Sequence, residues 1–158
     1  MFLSLHATAA IVLSESITSR VLGFFLGVIS HFLLDLIPQG DFGLNKWLAK
    51  TTNRLLKSLF IILIDVIFLS ILSILAIRLI PISNYEVAYW TVFGALVPDL
   101  SWSLNELFGN RIKLLTRISA LHHKINNLIK DKLSIRQGMI VQAVTFIILI
   151  WTQTLIFN

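Results

Sequence analysis

The chain of 158 residues contains no cysteine, and only 13% of it is Asp, Glu, Lys or Arg, where a soluble domain carries about 25%. The lack of cysteine excludes a disulfide scaffold, thiolate metal sites and cysteine nucleophiles. Any chemistry therefore falls to His, Asp, Glu, Ser, Thr, Lys or Arg. The lack of charge excludes an ordinary water-soluble globule, which needs polar groups over its surface. What is present is 56% hydrophobic residues and a mean hydropathy of +0.85. At this length one domain is expected, a single integral membrane domain over residues 1–158.

Apolar segments of bilayer-crossing length, about 17–25 residues, lie at about 21–38, 59–80, 85–104 and 137–157. A fifth, 2–18, is either a crossing or a half-inserted helix. None alternates as a strand does, so the predicted fold is all-α: a polytopic membrane helical bundle of four to five transmembrane helices plus short cytoplasmic helices. Ser83-Asn84-Tyr85-Glu86, Ser103-Leu104-Asn105-Glu106 and Ser134-Ile135-Arg136-Gln137 each read as a capping box opening a helix. Residues 38–43 read as a loop, and Gly109-Asn110 as a stop after a short 103–108 segment. Gly23-x-x-x-Gly27 predicts close helix packing. Trp47, Trp90, Trp102, Trp151, Tyr85 and Tyr89 read mostly as interface anchors.

The net charge of +5 raises the question of nucleic acid, and the placement of the cations answers it. Lys46, Lys50, Arg54 and Lys57 fall in the loop 41–58. Arg111, Lys113, Arg117, Lys124, Lys130, Lys132 and Arg136 fall in 105–136 or at its end. These eleven of the 13 basic residues occupy two connections separated by two crossings, hence one side of the membrane. By the positive-inside rule that side is the cytoplasm, and the chain is expected in the inner (plasma) membrane. The excess charge then serves topology and attraction to membrane lipids, with no nucleic-acid partner.

The polar residues inside the apolar segments carry the chemistry. His31 and Asp35, four apart, share one helix face at the end of their segment. Asp65, Asp99, His6 and His122 fall at the same cytoplasmic depth. A charge at mid-bilayer costs about 2.5–3.5 kcal/mol, and the apolar segments hold one cation, Arg78, at the opposite face. A bound divalent metal is the simplest compensation, Zn first and then Mn or Fe, because imidazole and carboxylate together suit these ions. Plainer roles exist for each residue alone. His31 and Asp35 can form an ion pair, Asp99 after Pro98 can cap a helix, and Asp65 can serve in a proton relay or in helix packing. His122 and His123 point about 100° apart, so only one naturally faces a site. No Gly-x-Ser-x-Gly, Walker or zincin motif is present.

Residues Gly27–Asp41, GVISHFLLDLIPQGD, resemble a pattern of small bacterial membrane proteins, G-x-x-S-H-x-x-x-D-x-x-P-H-x-D. Those proteins also carry an early His, a mid-membrane Asp, a Gly-x-x-x-Pro-Asp and a late His-His. Here the matches are His6, Asp65, Gly94–Asp99 and His122-His123. The chain thus resembles the predicted inner-membrane metal-dependent hydrolases and, more distantly, the helical zinc-dependent phospholipase C fold. The resemblance implies an α-helical bundle whose His/Asp metal cluster hydrolyses a phosphoester. Gln39 departs from the pattern, which has His there; Gln is a poor zinc ligand, so the position is not a ligand, or fewer metals bind, or the chain is an inactive relative.

The expected site is therefore a metal centre at the cytoplasmic leaflet with His6, His31, Asp35, Asp65, Asp99 and His122 as ligands. Asp41 or Asp99 would act as the catalytic base. Ser30, Arg117, His123 and Lys124 would meet a phosphoester or lipid-linked substrate. The competing expectation is a non-enzymatic membrane protein, an ion or proton carrier or an assembly factor, with the cluster as relay or polar core. The external half of the segments is almost wholly apolar, which favours a one-sided site over a conduit.

Overall fold

The computed structural model describes residues 2–38, 40, 53, 60, 63–71, 74, 82–126, 128 and 133–157, without the side chains of 106, 107, 153, 156 and 157. The described residues are helical and contain no strand. They form α1 (Leu3–Ser14), α2 (Arg20–Asp35), α3 (Tyr85–Leu107), α4 (Lys113–Asn126) and α5 (Ile135–Phe157). Residues 63–71 are helical as well.

The tightest packing is between α2 and α3, and glycine makes it. A Cβ on Gly27 would sit 2.1 Å from the Thr91 carbonyl oxygen, and one on Gly94 would sit 2.1 Å from that of Phe24. Gly23 faces Val87 and Thr91, Gly27 faces Thr91 and Ala95, and His31 reaches Ala95. The contacts advance together along both helices, so α2 and α3 run parallel. The close packing expected of Gly23 and Gly27 is present, and it brings the next two residues on that α2 face, His31 and Asp35, against the second half of α3.

At the other end, the segments that lead into α2 and α3 meet. Glu15 accepts hydrogen bonds from the backbone N–H and hydroxyl of Ser83, and Arg20 pairs with Glu86 at 2.5 Å. The short link between α1 and α2 reverses the chain, so His6, early in α1, returns to the level of Asp35. The α1 helix is the hub of the bundle: Ser4 to Ile11 and Ser14 are all buried. It has 12 residues, about 18 Å, too short for a bilayer core of about 30 Å.

Helix ends follow the sequence in part. Ser134 and Gln137 form the expected reciprocal capping box at α5. At α3 the cap is Asn84, whose Oδ1 accepts from the N–H groups of Glu86 and Val87; Glu86 is drawn instead to Arg20. No helix opens at Ser103. The α3 helix continues through Pro98 and Ser103 to Leu107, because one missing N–H does not end a helix that is packed along its length. It stops where expected, at Gly109 and Asn110, both in the left-handed region with φ 60° and 61°. Asn105 secures this turn by donating to Asn110 Oδ1 at 2.7 Å and accepting from Thr116 Oγ1 at 3.0 Å. The turn folds α4 back against α3.

Among the described residues, one helix is long and apolar enough to cross a membrane, over Ile135–Thr152 in α5, and almost none of that stretch is buried. The α2 helix, 16 residues, is about 24 Å long. The bundle is inverted relative to a water-soluble one. Among the described residues, buried polar side chains outnumber buried apolar ones, and the largest wholly buried side chains are His6, His31, Thr91 and Pro98. Val21, Phe25, Ile29, Leu33, Tyr89, Met139, Ile147 and Trp151 are exposed.

Candidate metal centre

Five of the predicted ligands meet at the end of the bundle opposite the Glu15–Ser83 contact. His31 comes from the last turn of α2. Its Nδ1 donates to the Ala95 carbonyl oxygen at 2.8 Å, on the stretch of α3 where Pro98 leaves the Gly94 carbonyl without its helical partner. A carbonyl only accepts, so the proton of a neutral His31 ring is on Nδ1, and Nε2 presents a lone pair inward. That lone pair faces other acceptors: Asp35 Oδ2 at 3.1 Å, His122 Nε2 at 3.3 Å and Asp99 Oδ1 at 3.8 Å.

His122, from α4, is 3.1 Å from Asp35 Oδ2 and 3.5 Å from Asp99 Oδ1. His6, from α1, places Nε2 3.3 Å from Asp35 Oδ1 and stacks on His31 with ring centroids 4.0 Å apart. Asp35 thus turns one oxygen to His6 and the other to His31 and His122. Neither nitrogen of His6 has a hydrogen-bonding partner among the described residues, nor does His122 Nδ1.

These distances form a test. A metal held at about 2.0–2.1 Å by nitrogen and oxygen in a tetrahedral arrangement sets its ligand atoms about 3.3 Å apart. The triangle of His31 Nε2, His122 Nε2 and Asp35 Oδ2 has edges of 3.3, 3.1 and 3.1 Å. A second group, His6, His31 and Asp99, also has its donor atoms within 4.8 Å of one another. A proton serves two atoms at a time, whereas one cation serves the whole converging set. The buried His/Asp groups fit a metal ion.

The other expected site residues lie elsewhere. Asp65 accepts from the backbone N–H of Leu3 at 2.8 Å, and from the N–H and hydroxyl of Ser4 at 3.5 and 3.4 Å. It caps the N-terminus of α1, where unpaired N–H groups and the helix dipole favour a carboxylate, and it is absent from both converging groups. Ser30 turns its hydroxyl to the Gly27 carbonyl on its own helix. Arg117, His123 and Lys124 are exposed, and His123 stands edge-on to Trp102. Of the two adjacent histidines, then, one faces the site and one faces out. Asp41 and Gln39 lie outside the described residues. Asp99 is the accessible carboxylate of the cluster, its side chain 21% exposed against 1% for Asp35.

No family model, curated protein or solved structure matches this chain.

Sequence reasoning passed over two members of the site. One is the Ala95 carbonyl, which no side-chain pattern encodes. The other is Asn126, whose Nδ2 lies 3.4 Å from His122 Nε2; its signal was its place four residues after His122, the spacing that joins Asp35 to His31.

Proposed function

We propose that this protein is a membrane-embedded metal-dependent hydrolase acting on a phosphoester or lipid-linked substrate, with its His/Asp centre at the cytoplasmic leaflet. The observation that carries this reading is the convergence of His31 Nε2, His122 Nε2 and Asp35 Oδ2 at the spacing of ligands around one ion. Zn, or else Mn or Fe, suits such a nitrogen and oxygen set. When bound, the ion would polarise a phosphoryl oxygen and acidify a water. His6, His31, His122 and Asp35 would hold it, and Asp99, at the exposed edge, would take the proton of the attacking water. The resemblance of Gly27–Asp41 to the inner-membrane hydrolases supplies the phosphoester chemistry.

The membrane part of the proposal is supported by the inversion of the fold and by α4. On α4, Leu114, Leu121 and Leu128 just beyond it are exposed at seven-residue intervals, beside the exposed row Lys113, Arg117 and Lys124. An apolar stripe flanked by cations suits a helix at the boundary of acyl chains and anionic headgroups. A substrate held in that leaflet would reach Asp99 without leaving the bilayer.

The first experiment is elemental analysis of protein purified without chelator. The expected result is one or two equivalents of a divalent metal in the wild type and a large loss in His31→Ala and Asp35→Ala. A wild type free of metal would favour the second reading, a proton relay, which His31 flanked by Asp35 and Asp99 can also serve. With metal present, hydrolysis of phosphoester substrates that fails in Asp99→Asn separates an enzyme from a metal-holding carrier.

A further inference from the structure

Asn126 occupies the last turn of α4, on the face that carries His122. Its Nδ2 approaches His122 Nε2 at 3.4 Å, and its Oδ1 is buried with no hydrogen-bonding partner among the described residues. An amide N–H directed at Nε2 requires the lone pair of that nitrogen. When His122 holds a metal, the lone pair is engaged with the ion and the N–H faces a donor already in use. The two ends of a carboxamide exchange places by a half-turn about the last side-chain bond, and no hydrogen bond to Oδ1 is broken by that turn. The half-turn sets an oxygen 3.4 Å from His122 Nε2, close to the 3.1–3.3 Å that separates the other donors.

We propose that Asn126 is a further ligand of the metal centre, through its side-chain carbonyl oxygen. The proposal rests on the metal reading above and extends it. It matters for the identity of the ion. Three imidazoles, two carboxylates and an amide oxygen exceed the four places of a tetrahedral zinc site, so an ion at this position would be five- or six-coordinate, or two ions would share the set. His122 and Asn126, four apart on α4, would then repeat the part played by His31 and Asp35 on α2.

The test compares wild type, Asn126→Leu and Asn126→Asp, titrated separately with Zn²⁺ and Mn²⁺ after removal of bound metal. Leucine keeps the bulk of the side chain and cannot bind a metal; aspartate keeps the oxygen. Expected is a loss of affinity of about tenfold or more in Asn126→Leu, since removing a group that merely braces a ligand already costs about 10–100-fold. Asn126→Asp should bind at least as tightly as wild type. Thermal unfolding of the metal-free proteins compares their folds, and Asn126→Asp alone decides if Asn126→Leu is unfolded. Wild-type affinity in Asn126→Leu, or weakened binding in Asn126→Asp, overturns the proposal while leaving the metal centre intact. A wild type that binds neither ion overturns the metal centre itself, and this ligand with it.

Discussion

Asp35 and Asp65 are both buried carboxylates in apolar stretches, and the structure gives them different partners. Asp35 faces three imidazoles, whereas Asp65 faces the N–H groups that open α1. The difference is testable because Asn caps a helix as well as Asp does but replaces a metal-binding carboxylate poorly. Asp65→Asn should retain the wild-type metal content, and Asp65→Ala should lose about 0.5–2 kcal/mol of stability with the cap. Asp35→Asn should lose the metal while keeping the side-chain shape. Metal analysis of all three, with thermal unfolding, checks this; metal loss in Asp65→Asn equal to that in Asp35→Asn would return Asp65 to the ligands. Its cost of burial, read from the sequence as a demand for metal, is met here by a helix terminus, a partner that no local pattern around residue 65 announces.

Among the elements, the α2–α3 crossing sets the accuracy of the centre, because His31 and Asp35 extend the glycine face that makes the contact. Gly27→Ala places a methyl within 2.1 Å of the Thr91 carbonyl oxygen, which backbone must relieve by moving apart. Overpacking of this kind costs about 1–3 kcal/mol, and the displacement should widen the His31–Asp99 separation and weaken metal binding. Gly109→Ala is the control: nothing lies within 4 Å of its Cβ position, and its φ of +60° alone carries the strain, so metal affinity should stay near that of the wild type. Equal metal affinity in Gly27→Ala and wild type would count against the crossing as the element that positions the site. The small-residue spacing was legible in the sequence. The partner face was less so, because Thr91, Gly94 and Ala95 belong to a segment whose Trp, Tyr and Phe residues dominate its pattern.

For the whole molecule, the inverted arrangement of polar and apolar groups predicts that the protein partitions with membranes and stays there through alkaline carbonate washing. Since the chain has no cysteine, single substitutions report topology without background. Thr18→Cys, in the turn between α1 and α2, should react with an impermeant maleimide in intact cells. Arg117→Cys, on α4, should react only after the membrane is opened. Labelling of both from outside, or recovery of the chain in the soluble fraction, would defeat the proposed orientation.

Composition and spacing by themselves determined the helical class, the apolar character of the helices, the glycine face of α2 and the alignment of His31 with Asp35. Each follows from helix periodicity over a few turns, which is a local property. The tertiary structure decided which polar residues converge, because that depends on contacts between distant positions: His31 with Ala95 across 64 residues, Asp35 with His122 across 87, and His31 with His122 across 91. It also decided that α3 passes through Pro98 and Ser103, that His122 faces inward while His123 faces out, and that Asn126 lies against His122. Helix spacing aligns side chains on a face, but only the packing of one helix against another determines what that face meets.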